Sequence, residues 1–259
     1  MYVSQSHVAT GEASQADEEP LRRWLRATAQ LDYKTPKLRT TMLSLTQLIA
    51  GDRDKAIVLH DFVKKLRFGV NPDDMSLKAS DVLKQGFGDC FTKGMLFVAL
   101  LRSAGIPARL QFVSLPVHFL HGIIDSHDAT IMHAMAQVHL DGQWITTDSY
   151  VPDLTMQLAA IDRLSAENRV LGYGIHRRGA IYWLGRKDAS AQSHASDERS
   201  MPTIDWGIAD DPMSFYADPS HSELRRSFAE RLKWRIAAPI VNKRTEALRA
   251  EYLARNHAA

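Results

Sequence analysis

Asp141 and Gly142 stand between two runs of alternating character, residues 132–140 and 143–150. An Asp-Gly pair in this setting predicts a two-residue hairpin, because both turn positions need a positive φ. The pair also fixes the register. Leu140 then faces Gln143, Met135 faces Asp148, and His133 faces Tyr150. Opposed residues share a face and alternate residues return to it, so His133 and Asp148 become diagonal neighbours, roughly 7–8 Å apart at the backbone. An imidazole and a carboxylate can close that span. A base held by a carboxylate is the orienting half of a nucleophile–base–acid arrangement, although an Asp–His pair can also serve only to stabilise a sheet.

Cys90 is the one cysteine of the 259-residue chain. It sits where Gly86-Phe87-Gly88-Asp89 turns into a strongly apolar stretch that predicts a helix reaching Ala104, closed by Gly105 with Pro107 beyond. The first turn of a helix leaves amide N–H groups unpaired at its positive end, and both effects favour a thiolate. Asp89 acts against this unless its carboxylate turns away to cap the helix. Taken alone, a cysteine before an apolar helix reads as a small buried hydrophobe; a predicted His–Asp pair downstream shifts the balance toward a nucleophile.

The remaining pattern is mixed. Helices are expected over residues 20–30, from Pro36 toward Ala50, over a stripe of Ala56, Leu59, Phe62, Val63 and Leu66, and over 79–84. Strands are expected over 106–114 and 180–184, besides the hairpin. Residues 187–202 read as a Ser-, Ala- and His-rich connector. Beyond it, helices over 221–236 and 242–256 are expected to be separated by Pro239. The resulting division is a disordered segment 1–18, a catalytic domain 19–186, the connector 187–202 and a helical extension 203–259.

The residues around Cys90 and the hairpin resemble the transglutaminase-like superfamily in its bacterial form. Gly88-Asp89-Cys90 followed by Leu96–Leu101 and Gly105-Ile106-Pro107-Ala108-Arg109 is similar to that family's nucleophile segment. His133-Ala134 through Leu140-Asp141-Gly142-Gln143-Trp144-Ile145 to Asp148 resembles its base-and-acid hairpin, and Phe62 to Gly69 resembles the lead-in. The resemblance implies an α+β fold with a papain-like core: a helix bearing Cys90 packed on an antiparallel sheet bearing His133 and Asp148. It implies those three residues as the catalytic set and no cofactor. The sequence departs from the family pattern at Met135, where an aromatic residue is usual, at Gln137, where an acidic one is common, and at Phe68, where tyrosine is frequent. Met135 and Gln137 share the face of His133 and are expected to shape the substrate groove. The Cys90 amide is the first candidate oxyanion donor. Gln85 is a second, with a surface glutamine at the end of a short helix as the equal alternative.

Other signals carry less. His118, His121, His127, His133 and His139 cluster in sequence, but with no second cysteine and no metal in the resembled family, no metal site is expected. Gly172-Tyr173-Gly174 misses the dinucleotide spacing. The span 221–259 holds nine basic and four acidic residues, a pattern that reads as a solvated face, with aromatic residues too sparse for nucleic-acid binding. The chain's formal net charge of +2 gives no general attraction to polyanions. The polar N-terminal residues lack a signal-like apolar core, and no run is long and apolar enough to span a membrane, so a cytoplasmic, membrane-free protein is expected. The expected partner is a peptide, protein or small acyl substrate. The expected chemistry is hydrolysis of an amide bond through an acyl-Cys90 intermediate, with acyl transfer to an amine, or an idle binding module on the same fold, as alternatives.

Overall fold

The computed structural model describes residues 21–124, 128–225 and 227–257. The expectation for residues 1–18, and His127, fall outside these. Helix α1, Pro36–Thr46, begins with proline at a position whose missing N–H costs nothing. Helix α2, Asp52–Lys65, has Asp52 and Asp54 in its first turn and lysines in its last, both favourable to the helix dipole. It buries the expected stripe of Ala56, Leu59 and Val63, and with it His60 and Lys64.

Two short parallel strands follow, β1 (Arg67–Phe68) and β2 (Phe87–Gly88), with helix α3 (Ala79–Gln85) between them. Their pairing ties the end of α2 to the loop that enters helix α4, Cys90–Ser103. Every α4 residue from Phe91 to Arg102 is buried. A helix apolar on all sides must lie in the middle of a core, and α4 does so, with Leu96, Phe97 and Leu100 in one cluster with Leu110, Phe112, Ala134, Ala136 and Val138 of the sheet.

That sheet is antiparallel, in the order β5-β4-β3-β8, from β3 (Ala108–Pro116), β4 (Thr130–Leu140), β5 (Gln143–Thr147) and β8 (Ile204–Ala209). The hairpin has the expected register, Leu140 with Gln143 through Ala136 with Thr147. Asp141 and Gly142 adopt φ of 49° and 82°, the left-handed pair that the turn requires. Helix α5 (Leu154–Ala166), the small hairpin β6 (Leu171–Gly172) with β7 (Ile175–His176), helix α6 (Pro212–Ala217) and helix α7 (Phe228–His257) complete the fold.

Several expectations need correction. Of residues 21–30, helical structure covers only Leu21–Arg22 and the 3-10 turn Arg23–Leu25, and the segment has one buried apolar anchor rather than a helical stripe: Trp24, set edge-on against Trp144 at 6.3 Å. Residues 180–184 form no strand. Trp183 is buried, with its ring centroid 5.4 Å from that of His60, while Tyr182 and Leu184 are exposed, so the in–out alternation is met by a segment that joins no sheet. The two C-terminal helices are one, with Pro239 inside it. Ala238 and Val241 are buried against Met156, Ala159 and Ala160 of α5, and this packing on both sides of the proline holds the helix together where propensity would break it. The stretch 203–259 is not purely helical either, since β8 completes the sheet along β3.

Candidate active site

Asp89 settles the first electrostatic question. Its carboxylate accepts the Thr92 N–H at 3.0 Å, and its own N–H donates to the Thr92 hydroxyl at 2.8 Å. This reciprocal cap turns the negative charge into the helix instead of toward Cys90. Gly88 is what lets the cap close: a Cβ there would lie 2.5 Å from Thr92 Oγ1. Cys90 is left half-buried at the helix start, facing the cavity.

His133 comes from β4 and is buried, 2% exposed, as is Asp148 at 0%. His133 Nε2 lies 3.0 Å from Asp148 Oδ2. Cys90 acts on the same imidazole from the cavity side. Burial alone would push the imidazole down. The attraction of Cys90 and the hydrogen bonds to Asp148 and Cys90 outweigh it and raise His133 from 6.5 to about 10. The imidazole is therefore set up as a cation between a sulfur and a carboxylate.

Asp148 does not meet His133 through the ladder itself. The β4–β5 pairing stops at Thr147, and the Asp148 N–H turns to the carbonyl of Ala189 at 3.2 Å. The carboxylate is held from the far side by residues 190–192. Ala191 N–H donates to Oδ1 at 2.7 Å and the Ser190 hydroxyl to Oδ2 at 3.0 Å. The Gln192 amide nitrogen, turned inward, lies 2.9 and 2.8 Å from the two oxygens. These donors belong to the stretch read from sequence as a connector. They fix the carboxylate in place and stabilise its charge.

The residues behind Asp148 are pinned as firmly. Lys64 Nζ donates to the carbonyls of Ser149 and Pro152 at 2.7 and 3.2 Å and to Gln157 Oε1 at 2.7 Å. Lys93 Nζ, fully buried one turn along from Cys90, donates to the carbonyls of Leu66 and Val151 at 2.8 and 2.9 Å. Arg249 of α7 pairs with Asp153 and donates to the Phe68 carbonyl at 2.9 Å. None of these three stood out in the sequence: each is a cation on a helix, and only the tertiary structure buries it. Arg235 and Arg255 also reach ion pairs, with Asp73 and Asp162, so the basic C-terminal face is partly an attachment face.

A cavity of about 580 Å³ opens at Cys90 and His133. Residues 130–133 of β4 form one side and α7 another. Among the described residues lining it, none is Gln85, Met135 or Gln137. Gln85 donates to the Phe87 carbonyl at 2.8 Å and accepts from Asn71 at 3.2 Å. Met135 packs against the cluster of Val113, Leu115, Phe119 and Leu120. Gln137 bonds to Arg109, Gln111 and Thr146. Alternation puts the last two on His133's side of β4, but the cavity at Cys90 reaches only residues 130–133 of that strand. The histidine cluster also disperses: His121 lies beside Tyr173, and His139 beside Trp144. Among the described residues, no group of three His, Cys, Asp or Glu is placed to hold a metal ion.

The fold is the mixed α and β arrangement of a papain-like core, and residues 39–149 match the Transglutaminase-like superfamily. That match covers less than half of the chain. Two solved structures are similar to parts of the chain, the first provisionally described as a cysteine protease. One, from Cytophaga hutchinsonii, has a TM-score of 0.41 and 19% identity over 49% of this chain and 40% of its own. The other, a provisionally described protease from Parabacteroides distasonis, has a TM-score of 0.34 and 17% identity over 53% of this chain and 26% of its own. The chain thus spans less than half the length of either. No curated protein matches it. Among the described residues, no helix is long and apolar enough to cross a membrane.

Proposed function

We propose that the protein is a cysteine-nucleophile hydrolase acting through an acyl-enzyme. Cys90 sulfur attacks the carbonyl of an amide, ester or thioester. His133 takes the thiol proton and delivers it to the leaving group, and Asp148 fixes the imidazole tautomer. The Cys90 amide, at a helix start where N–H groups lack intrahelical partners, is the candidate donor to the tetrahedral oxyanion. The single observation that carries this reading is a buried His133 that holds the Asp148 carboxylate at 3.0 Å and lines the same cavity as Cys90. A carboxylate gripped by Ser190, Ala191 and Gln192 favours this reading over an idle binding module.

Acyl transfer to an amine is the second reading. It passes through the same acyl-Cys90 intermediate and differs only in the second nucleophile. Partitioning decides between the two. The protein is given an ester or thioester substrate, the adduct on Cys90 is identified by mass spectrometry, and a primary amine is then added at millimolar concentration. Hydrolysis predicts that only a minor part of the product becomes amide. Amide as the main product at low amine concentration would replace the hydrolase with a transferase. No adduct on Cys90 with any substrate would remove both.

A further inference from the structure

The cavity at Cys90 is walled by residues of a common kind. Phe68, Phe119, Ile123, Met156, Trp234 and Val241 come from different parts of the chain and all present apolar surface to it. Its volume, about 580 Å³, is that of a site for a compact small molecule. Of the charged side chains in its lining, Asp89 is turned into its helix cap and His133 belongs to the reacting set. The others, Asp128, Glu230 and Lys233, come from the segment before β4 and from the first turns of α7. Their opposing charges give a ligand with a full charge of either sign no clear welcome.

We infer that the acyl group accepted by Cys90 is neutral and apolar, a medium-length alkanoyl or arylalkanoyl group, and that α7 sets its length. This rests on the acyl-enzyme reading above. The argument for the acyl part, rather than the leaving group, is one of order. The acyl group stays bonded to sulfur while the leaving group departs and water arrives. The part of the substrate that stays can occupy an apolar cavity through the whole cycle. The part that leaves must pass to solvent. A peptide segment fits the cavity less well than an alkyl chain, because its N–H and C=O groups would each need a partner, and apart from Thr130, Gln192, Tyr216 and Trp234 the uncharged lining is apolar. An alkyl or aryl chain asks for none.

The far wall is the telling one. Ala238 and Val241 are buried against α5 residues Met156, Ala159 and Ala160. The same turns of α7 present Trp234, Ala237 and Val241 to the cavity. A chain growing from Cys90 toward α7 ends where these side chains stand.

The test uses p-nitrophenyl esters from acetyl to dodecanoyl. In each, a sulfur–carbon bond forms, the carbon–oxygen bond to p-nitrophenolate breaks, and the thiol proton passes to His133. Water then releases the carboxylic acid and frees the thiol. kcat/KM should rise about three- to fourfold per methylene, the gain for burying one CH2, and then stop at the length where the chain meets α7. Ala237→Phe, at a half-buried position, should move that limit to shorter chains, and Trp234→Ala to longer ones. A second series, acetyl esters with alcohols of increasing apolar size, should show a flatter dependence. A flat acyl series, or a steeper dependence on the alcohol, overturns the inference while leaving the acyl-enzyme intact. Should no ester acylate Cys90, the proposed function falls, and binding judges the cavity separately. Fatty acyl N-methylamides added to the Cys90→Ala protein should bind more tightly with chain length by calorimetry, and no such trend overturns the inference.

Discussion

Lys64 Nζ donates to the Ser149 carbonyl at 2.7 Å, placing a buried ammonium one residue behind the carboxylate that orients His133. Burial lowers this lysine from 10.5 to about 8, against the raising pull of Asp153, Asp61 and Asp148. Between pH 8 and 10.5 the unfolded chain therefore holds a proton that the folded protein has released, and this contribution to stability grows as pH rises across that window. His133 contributes the opposite slope, since its folded value of about 10 lies above 6.5, and its share is lost as pH rises toward 10. Comparing wild type with Lys64→Met isolates the lysine. In urea melts the variant should lose ground to wild type as pH rises through the window. A stability difference that does not change with pH would refute the assignment.

The His133 cation should be readable in the reactivity of the sulfur. At neutral pH, iodoacetamide should alkylate the wild-type protein faster than His133→Ala. The variant should catch up only in the alkaline range where an ordinary thiol ionises, near ~8.5. Equal rates across the whole range would mean that the imidazole does not assist Cys90.

Asp148→Asn preserves shape but replaces an acceptor with a donor. An amide cannot accept from Ala191, Ser190 and His133 together as the carboxylate does, so the imidazole loses its fixed tautomer. Turnover should fall by up to about 10⁴ in kcat, with KM little changed. A drop confined to KM would instead make Asp148 part of substrate binding.

Arg249→Met tests the attachment of α7. Burial alone would raise Asp153, but the hydrogen bond and charge of Arg249, with the N–H groups of Phe68 and Met156, hold its carboxyl below the usual range. Removing the cation leaves a buried carboxylate unpaired, a loss of about 3–5 kcal/mol. In the wild type this contribution is complete above pH 3.8 and disappears as pH falls through the depressed value. The variant should therefore be less stable at neutral pH, and the gap should close in acid. A gap that stays open in acid would point to lost packing alone.

How far the sequence could be read depended on how local each feature was. The hairpin register came from two turn residues, and the setting of Cys90 from a glycine-flanked helix start; both signals lie within a few residues of the groups they position. The donors to Asp148 were illegible for the opposite reason. Ser190, Ala191 and Gln192 sit in a stretch without periodicity, and Ala191 acts through its backbone, which no side chain announces. Lys64 and Lys93 drew no notice, and Arg249 was read as part of a solvated face, because burial of a lysine or arginine depends on carbonyls and carboxylates far away in the chain. Pro239 misled in another way: a local rule against helix continuity was overridden by packing on α5. At Met135 and Gln137 alternation gives the strand face, but not which part of the strand the cavity at Cys90 meets.

The chain order of the site has a consequence in time. Cys90, His133 and Asp148 are all present once residue 148 has been made, but Gln192, Trp234 and Arg249 come later. At a synthesis rate of roughly 5–20 residues per second, the hundred residues from Asp148 to Arg249 take about 5–20 s. During that interval the nascent chain has a thiol and an imidazole but neither the grip on the carboxylate nor the far wall of the cavity. Reactivity and selectivity therefore arrive together, only once Arg249 has been made, and a product that stops short of α7 carries Cys90 and His133 without the groups that hold and enclose them.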